Sequence, residues 1–154
     1  MIRSLQRIFA MAILPAVLLS LSCAQPTRSV PDTDEMQNLR EIADVFYSRV
    51  SNRRFNSIST FHDPALREFF QSPEAFADYY ADLADALAMA NFEYNRPNSV
   101  RIEAMEVDSE GYVRVQLVLT GENGKPLRFW KTRLAREDKW ERSSGRWWIL
   151  PGKL

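Results

Sequence analysis

At Asn91 the spacing of apolar residues changes from helical to alternating, and no other feature of the 154-residue chain restricts its fold as much. Before that point apolar side chains recur every three or four positions; after it they recur every second. Helical spacing buries a stripe along a cylinder, whereas alternation buries one face of a pleated strand. A chain that does the first and then the second is expected to be α+β, with N-terminal helices packed on one face of a curved antiparallel sheet.

In the helical half, Asp32 and Glu35 stand three apart, as in a capping box. Met36, Leu39, Ile42, Ala43, Phe46 and Val50 follow as one apolar stripe of about four turns. Phe55, Ile58 and Phe61 predict a shorter helical piece. Asp63-Pro64 and Ser72-Pro73 each set a capping residue before a proline at the first helical position. Beyond Ser72, the residues Phe76, Tyr79, Tyr80, Leu83, Leu87 and Ala90 share a face, with Asp78, Asp82 and Asp85 expected to point away.

In the other half, Val100, Ile102 and Ala104 predict a first strand and Val113, Val115, Leu117 and Leu119 a second. Asn123-Gly124 is a hairpin signal for a turn with positive φ. Trp130, Thr132 and Leu134 then alternate with Lys131 and Arg133, and this third strand is expected to run across the charged residues 136–139 towards Trp140. Ser143-Ser144-Gly145 turns into a last strand, Arg146 to Leu150. Phe46, Phe76, Leu83, Val115, Leu117 and Trp130 are expected to meet in one core.

The N-terminus has a different character. Arg3 and Arg7 precede a stretch from Ile8 to Leu21 that is apolar apart from Ser20. This is the secretory pattern, and the stretch is short of the roughly 20 residues of a membrane span. Residues 1–22 are therefore expected to be an export signal. Leu19-Ser20-Leu21-Ser22-Cys23 resembles the lipobox of bacterial lipoproteins, although Ser20 stands where that family prefers an aliphatic residue. The resemblance implies a diacylglyceride on Cys23, and Ala24 after it implies the outer rather than the inner membrane. Ser22-Cys23-Ala24 also suits ordinary signal peptidase, which would leave Gln25 first. Cys23 is the only cysteine of an exported chain, where cysteines usually serve in pairs, and lipidation would account for it. Residues 23–34 read as the lipidated cysteine and a flexible tether, and 35–154 as one domain.

The order of elements resembles the nuclear transport factor two-like superfamily, whose curved sheet and helices form a cone. The likeness rests on Phe46-Tyr47 in the long first helix, the Phe55–Phe61 piece, the Ser72-Pro73 helix and the Gly145-Arg146-Trp147-Trp148-Ile149 ending. It implies a pocket inside the cone, with Tyr47, His62, Tyr80 and Trp130 as candidate lining residues. Tyr47 falls near a tyrosine that donates a hydrogen bond in the isomerases of the superfamily. Where their base lies, on the first strand, residues Leu66 to Phe70 offer only Glu68, on the polar side of an amphipathic piece. His62 is the only histidine; it could act as a lone base or simply end a helix before Asp63-Pro64. No catalytic residue, cofactor or metal site is therefore assigned: one histidine and one cysteine are too few for the usual nitrogen and sulfur ligands.

Trp147 and Trp148 are adjacent, so a strand would send one indole to each face of the sheet. Phe129 and Trp130 repeat the arrangement. Either Phe129, Trp147 and Trp148 meet a second copy or an envelope partner, or bulky aromatics fill a wide cone. Residues 32–110 carry 16 acidic and 7 basic side chains, and residues 111–154 carry 4 and 10. Acids and bases balance over the whole chain, which gives no nucleic-acid character. The expectation is an envelope lipoprotein facing the periplasm, with a non-enzymatic binding domain for a partner protein or small apolar ligand. A small-molecule isomerase, dehydratase or hydrolase using the cone pocket is the first alternative, and an accessory subunit of a membrane complex the second.

Overall fold

The computed structural model describes residues 30–152. The expected signal, Cys23 and the first part of the tether lie outside the described residues. Helix α1 (Thr33–Val50) opens on the capping box: Asp32 accepts from the Glu35 backbone N–H, and Glu35 accepts from that of Asp32. Two short helices follow, α2 (Ile58–Phe61) and α3 (Pro64–Arg67), the latter capped by Asp63. Helix α4 (Pro73–Met89) is capped by Ser72, with Pro73 in its first turn, where a missing N–H costs nothing. A short 3-10 turn (Glu93–Asn95) leads into the sheet.

The sheet is an open antiparallel meander of β1 (Ser99–Val107), β2 (Val113–Glu122), β3 (Lys131–Ser143) and β4 (Arg146–Leu150), in that spatial order. The chain is thus α+β, with its helices on one face of the sheet. Leu39, Ala43, Phe46 and Val50 of α1 and Phe76, Leu83 and Leu87 of α4 meet Val113, Val115, Leu117 and Leu119 of β2 in a common core. Among the described residues, the buried apolar side chains of this core lie between Leu39 and Ile149.

Several details differ from the sequence expectation. Trp130 precedes the first paired residue of β3, Lys131, and is 59% exposed, so it contributes nothing to the core. Ile58 points to solvent while Phe55 is buried, because α2 is too short to sustain a stripe. In β1 the register with β2 shifts between Ile102 and Ala104, and this bulge reverses the alternation. Met105 and Val107, rather than Ala104, then pack against the core. Asp82 of α4 turns towards Arg136 of β3 instead of solvent. The region Leu66 to Phe70 is helical at its start rather than a strand. Past that point the Ile149 N–H donates to the Phe69 carbonyl (3.0 Å), which covers the outer edge of β4.

Candidate functional site

Arg136, Asp138 and Trp140 occupy alternate positions of β3, which aims all three at the helices. Asp138 is only 2% exposed. The Tyr47 hydroxyl, from α1, donates to its Oδ2 at 3.0 Å, and the Tyr79 hydroxyl, from α4, donates to the same oxygen at 2.8 Å. Arg136 Nε donates to Oδ1 at 2.6 Å. Trp140 Nε1 donates in turn to the Tyr47 hydroxyl oxygen (3.1 Å). Arg136 also reaches Asp82 Oδ2 at 2.6 Å, and its guanidinium lies 4.9 Å from the centre of the Tyr79 ring. One carboxylate thereby joins α1, α4 and β3.

Burying a charge is costly unless it is paired and hydrogen-bonded, and Asp138 is both. Burial, reinforced by the Asp138 charge, pushes the Tyr47 and Tyr79 hydroxyls well above the ordinary tyrosine value, so both remain donors. Burial alone would lower the Arg136 guanidinium. The Asp138 charge leads the opposing effects, with the hydrogen bond to Asp82 among them, and the net shift is upward. Phe46 closes the cluster, with ring centres 5.1 Å from Tyr47, 5.8 Å from Tyr79 and 6.0 Å from Trp140. A general base must come within hydrogen-bond reach of the proton it takes. Asp138 meets three internal donors and almost no solvent, so the arrangement acts as a brace between helix and sheet.

The candidate lining residues do not converge on one pocket. Tyr47 belongs to the Asp138 cluster. Tyr80, half-buried, donates its hydroxyl to the Ser57 carbonyl (3.0 Å) and accepts from the Ser57 N–H (3.1 Å), which ties the loop before α2 to α4. His62 is exposed at the end of α2, its ring packed edge-on to Phe61 at 5.2 Å. Trp130 lies on the connection between β2 and β3 beneath the Arg128 guanidinium, 5.4 Å from the ring centre. Glu68, at the surface, pairs with Arg49. Among the described residues no group of three or more acidic, histidine or cysteine side chains could hold a metal ion.

The interface candidates also separate. Trp147 is buried on the helix side, and Trp148 is half-covered on the other face, with the Arg146 guanidinium 4.4 Å from its ring centre. Phe129 is 90% exposed and lies outside any strand. The sheet also carries an open concavity of about 750 Å³ whose lining includes Arg101, Glu103, Val118, Arg133, Ala135 and, from the Asp138 cluster, Arg136.

Sequence reasoning missed Asp138, Tyr79, Arg136 and Asp82 as one constellation. The available signal was parity: Arg136 and Asp138 continue the inward alternation of Thr132 and Leu134, and two charges on a buried parity require partners. Comparison with known proteins adds nothing to this geometry, since no family model, no curated protein and no solved structure matches the chain.

Proposed function

We propose that this chain is an exported protein, held at a membrane through lipid on Cys23, whose domain binds a partner protein at the open concavity of its sheet and has no catalytic role. The observation that carries this reading is the closure of the Asp138 cluster. Asp138, buried in the helix–sheet core, is engaged by Tyr47, Tyr79 and Arg136 through both of its oxygens. Recognition chemistry instead lies in the open concavity, where Val118 pairs with Arg101 on one side and Ala135 on the other, and Arg133 stands two residues before Ala135. The element order supports the likeness to the nuclear transport factor two-like cone, while the internal engagement of Asp138 by Tyr47, Tyr79 and Arg136 speaks against that acid serving pocket chemistry.

The test is site-specific photo-crosslinking of the full-length protein in cells. A photoreactive amino acid placed at Ala135 is expected to give a discrete adduct with one envelope protein. The same amino acid at Asp85, exposed on α4, is expected to give none. Adducts from both positions, or from neither, would overturn the reading.

A further inference from the structure

The end of the domain where α4 stops and β2 turns into β3 concentrates the large exposed apolar side chains. Met89 is 84% exposed, Tyr94 53%, Leu127 84%, Phe129 90% and Trp130 59%. They belong together because the connection is fastened to the chain leaving α4. The Gly124 N–H donates to the Asn91 carbonyl (2.8 Å), Phe92 and Asn123 form a bridge, and Thr132 Oγ1 donates to the Ala90 carbonyl (2.8 Å). Cations are interleaved with the aromatics. Arg54 lies over the Tyr94 ring at 4.7 Å and Arg128 over the Trp130 ring at 5.4 Å, while Lys125 and Lys131 flank the connection. Residues 123–133 hold four bases and no acid.

We infer that this end of the domain is a lipid-contact surface that seats on an anionic phospholipid headgroup layer. Aromatic side chains with one apolar body and a polar edge settle at the headgroup level of a bilayer. Lysine and arginine beside them are drawn to anionic lipid while their stems lie along the apolar region. A second copy of the same surface is a poor occupant, because it would bring two sets of like charges together. The surface is a protruding connection rather than a groove, which suits insertion between headgroups.

This inference goes beyond the proposed partner binding and does not depend on it. The geometry is compatible with lipid at Cys23. β3 runs from Lys131 at this end to Arg142, which pairs with Glu35 in the first turn of α1, a span of about 35 Å. Ten extended residues of tether reach at most about 35 Å. Anchor and surface therefore meet one bilayer when the strands lie along it.

The full chain carrying Cys23→Ser, which cannot take lipid at that position, would be floated with vesicles of phosphatidylcholine alone or mixed with phosphatidylglycerol. Binding is expected to the mixed vesicles, weakening as salt is raised. The Phe129→Ser, Trp130→Ser double variant should bind at least about tenfold more weakly. Lys125→Gln and Lys131→Gln should each cost about fivefold. Ile58→Ser, at an exposed apolar site on α2, should bind as the parent does. Absence of binding to anionic vesicles, or binding that the Phe129 and Trp130 substitutions leave intact, would overturn the inference. So would a concentration-dependent dimer abolished by those same substitutions, which would assign the surface to a second copy. Photo-crosslinking at Ala135 reads partner binding separately, so either proposal can fail without the other.

Discussion

Asp138 is the residue on which most of the polar structure turns. Removing its carboxylate leaves Tyr47 and Tyr79 with unfilled donors and Arg136 with only Asp82 as a charged partner. Breaking a buried ion pair from one side costs about 3–5 kcal/mol, so Asp138→Ala is expected to lower the urea midpoint severely or to prevent folding. Tyr79→Phe deletes one hydrogen bond to a charged acceptor and should cost about 1.5–3 kcal/mol by the same measurement. The pair of tyrosines also sets a pH dependence. Because their folded values lie well above the ordinary tyrosine pKa of about 10, their contribution is intact below that pH. As pH rises past it, the unfolded chain ionises first, binds fewer protons than the folded one, and stability falls. Denaturant unfolding at about pH 8 and about pH 11 should show this loss, and a Tyr47→Phe, Tyr79→Phe double variant should lose less between the two. An equal loss in parent and variant would place the alkaline sensitivity elsewhere.

Elements were legible in the sequence where their signals are local, and illegible where a distant contact decides. The caps at Asp32, Asp63 and Ser72 and the alternation of β2 needed only their neighbours. Ser144 and Gly145, with φ of 53° and 76°, make the tight turn expected before β4. Asn123-Gly124 carries the same kind of signal and does something else. Asn123 Oδ1 accepts from the Lys125 N–H (2.9 Å) and Gly124 docks on Asn91, so a longer connection forms and Trp130 is drawn out of the strand. Nothing in the local sequence announces the Asn91 partner. The bulge of β1 is invisible for the same reason, since register is settled by the facing strand. Gly121 marks where β2 crosses the chain leaving α4. A Cβ there would stand 2.6 Å from Phe92 Cδ1 and 2.8 Å from the Arg96 carbonyl oxygen. The carbonyl belongs to the backbone and cannot swing aside, so Gly121→Ala is expected to destabilise by about 1–3 kcal/mol in a denaturant titration. An unchanged midpoint would mean that residues 92–96 yield freely.

At the scale of the whole molecule, acids gather on the helices and bases on the strands, and the Asp138 brace spans that division: Asp82 of α4 meets Arg136 of β3, and Arg136 meets Asp138. The buried core of the described residues begins at Leu39, well beyond Cys23 in the chain. That separation makes the proposed anchor testable by one substitution. Cys23 follows an apolar stretch of export character and has no second cysteine to pair with. A single acyl chain holds a protein only marginally, whereas a diacylglyceride, with or without the contact proposed for Phe129 and Trp130, holds it stably. Cys23→Ala is therefore expected to move the full-length protein from the membrane fraction to the soluble one, with labelled palmitate no longer incorporated. The released domain should unfold at the same denaturant midpoint as the parent. If the intact mass of the mature parent instead begins at Gln25 and carries no lipid, the anchor does not exist, and any membrane association must come from the aromatic end of the domain alone.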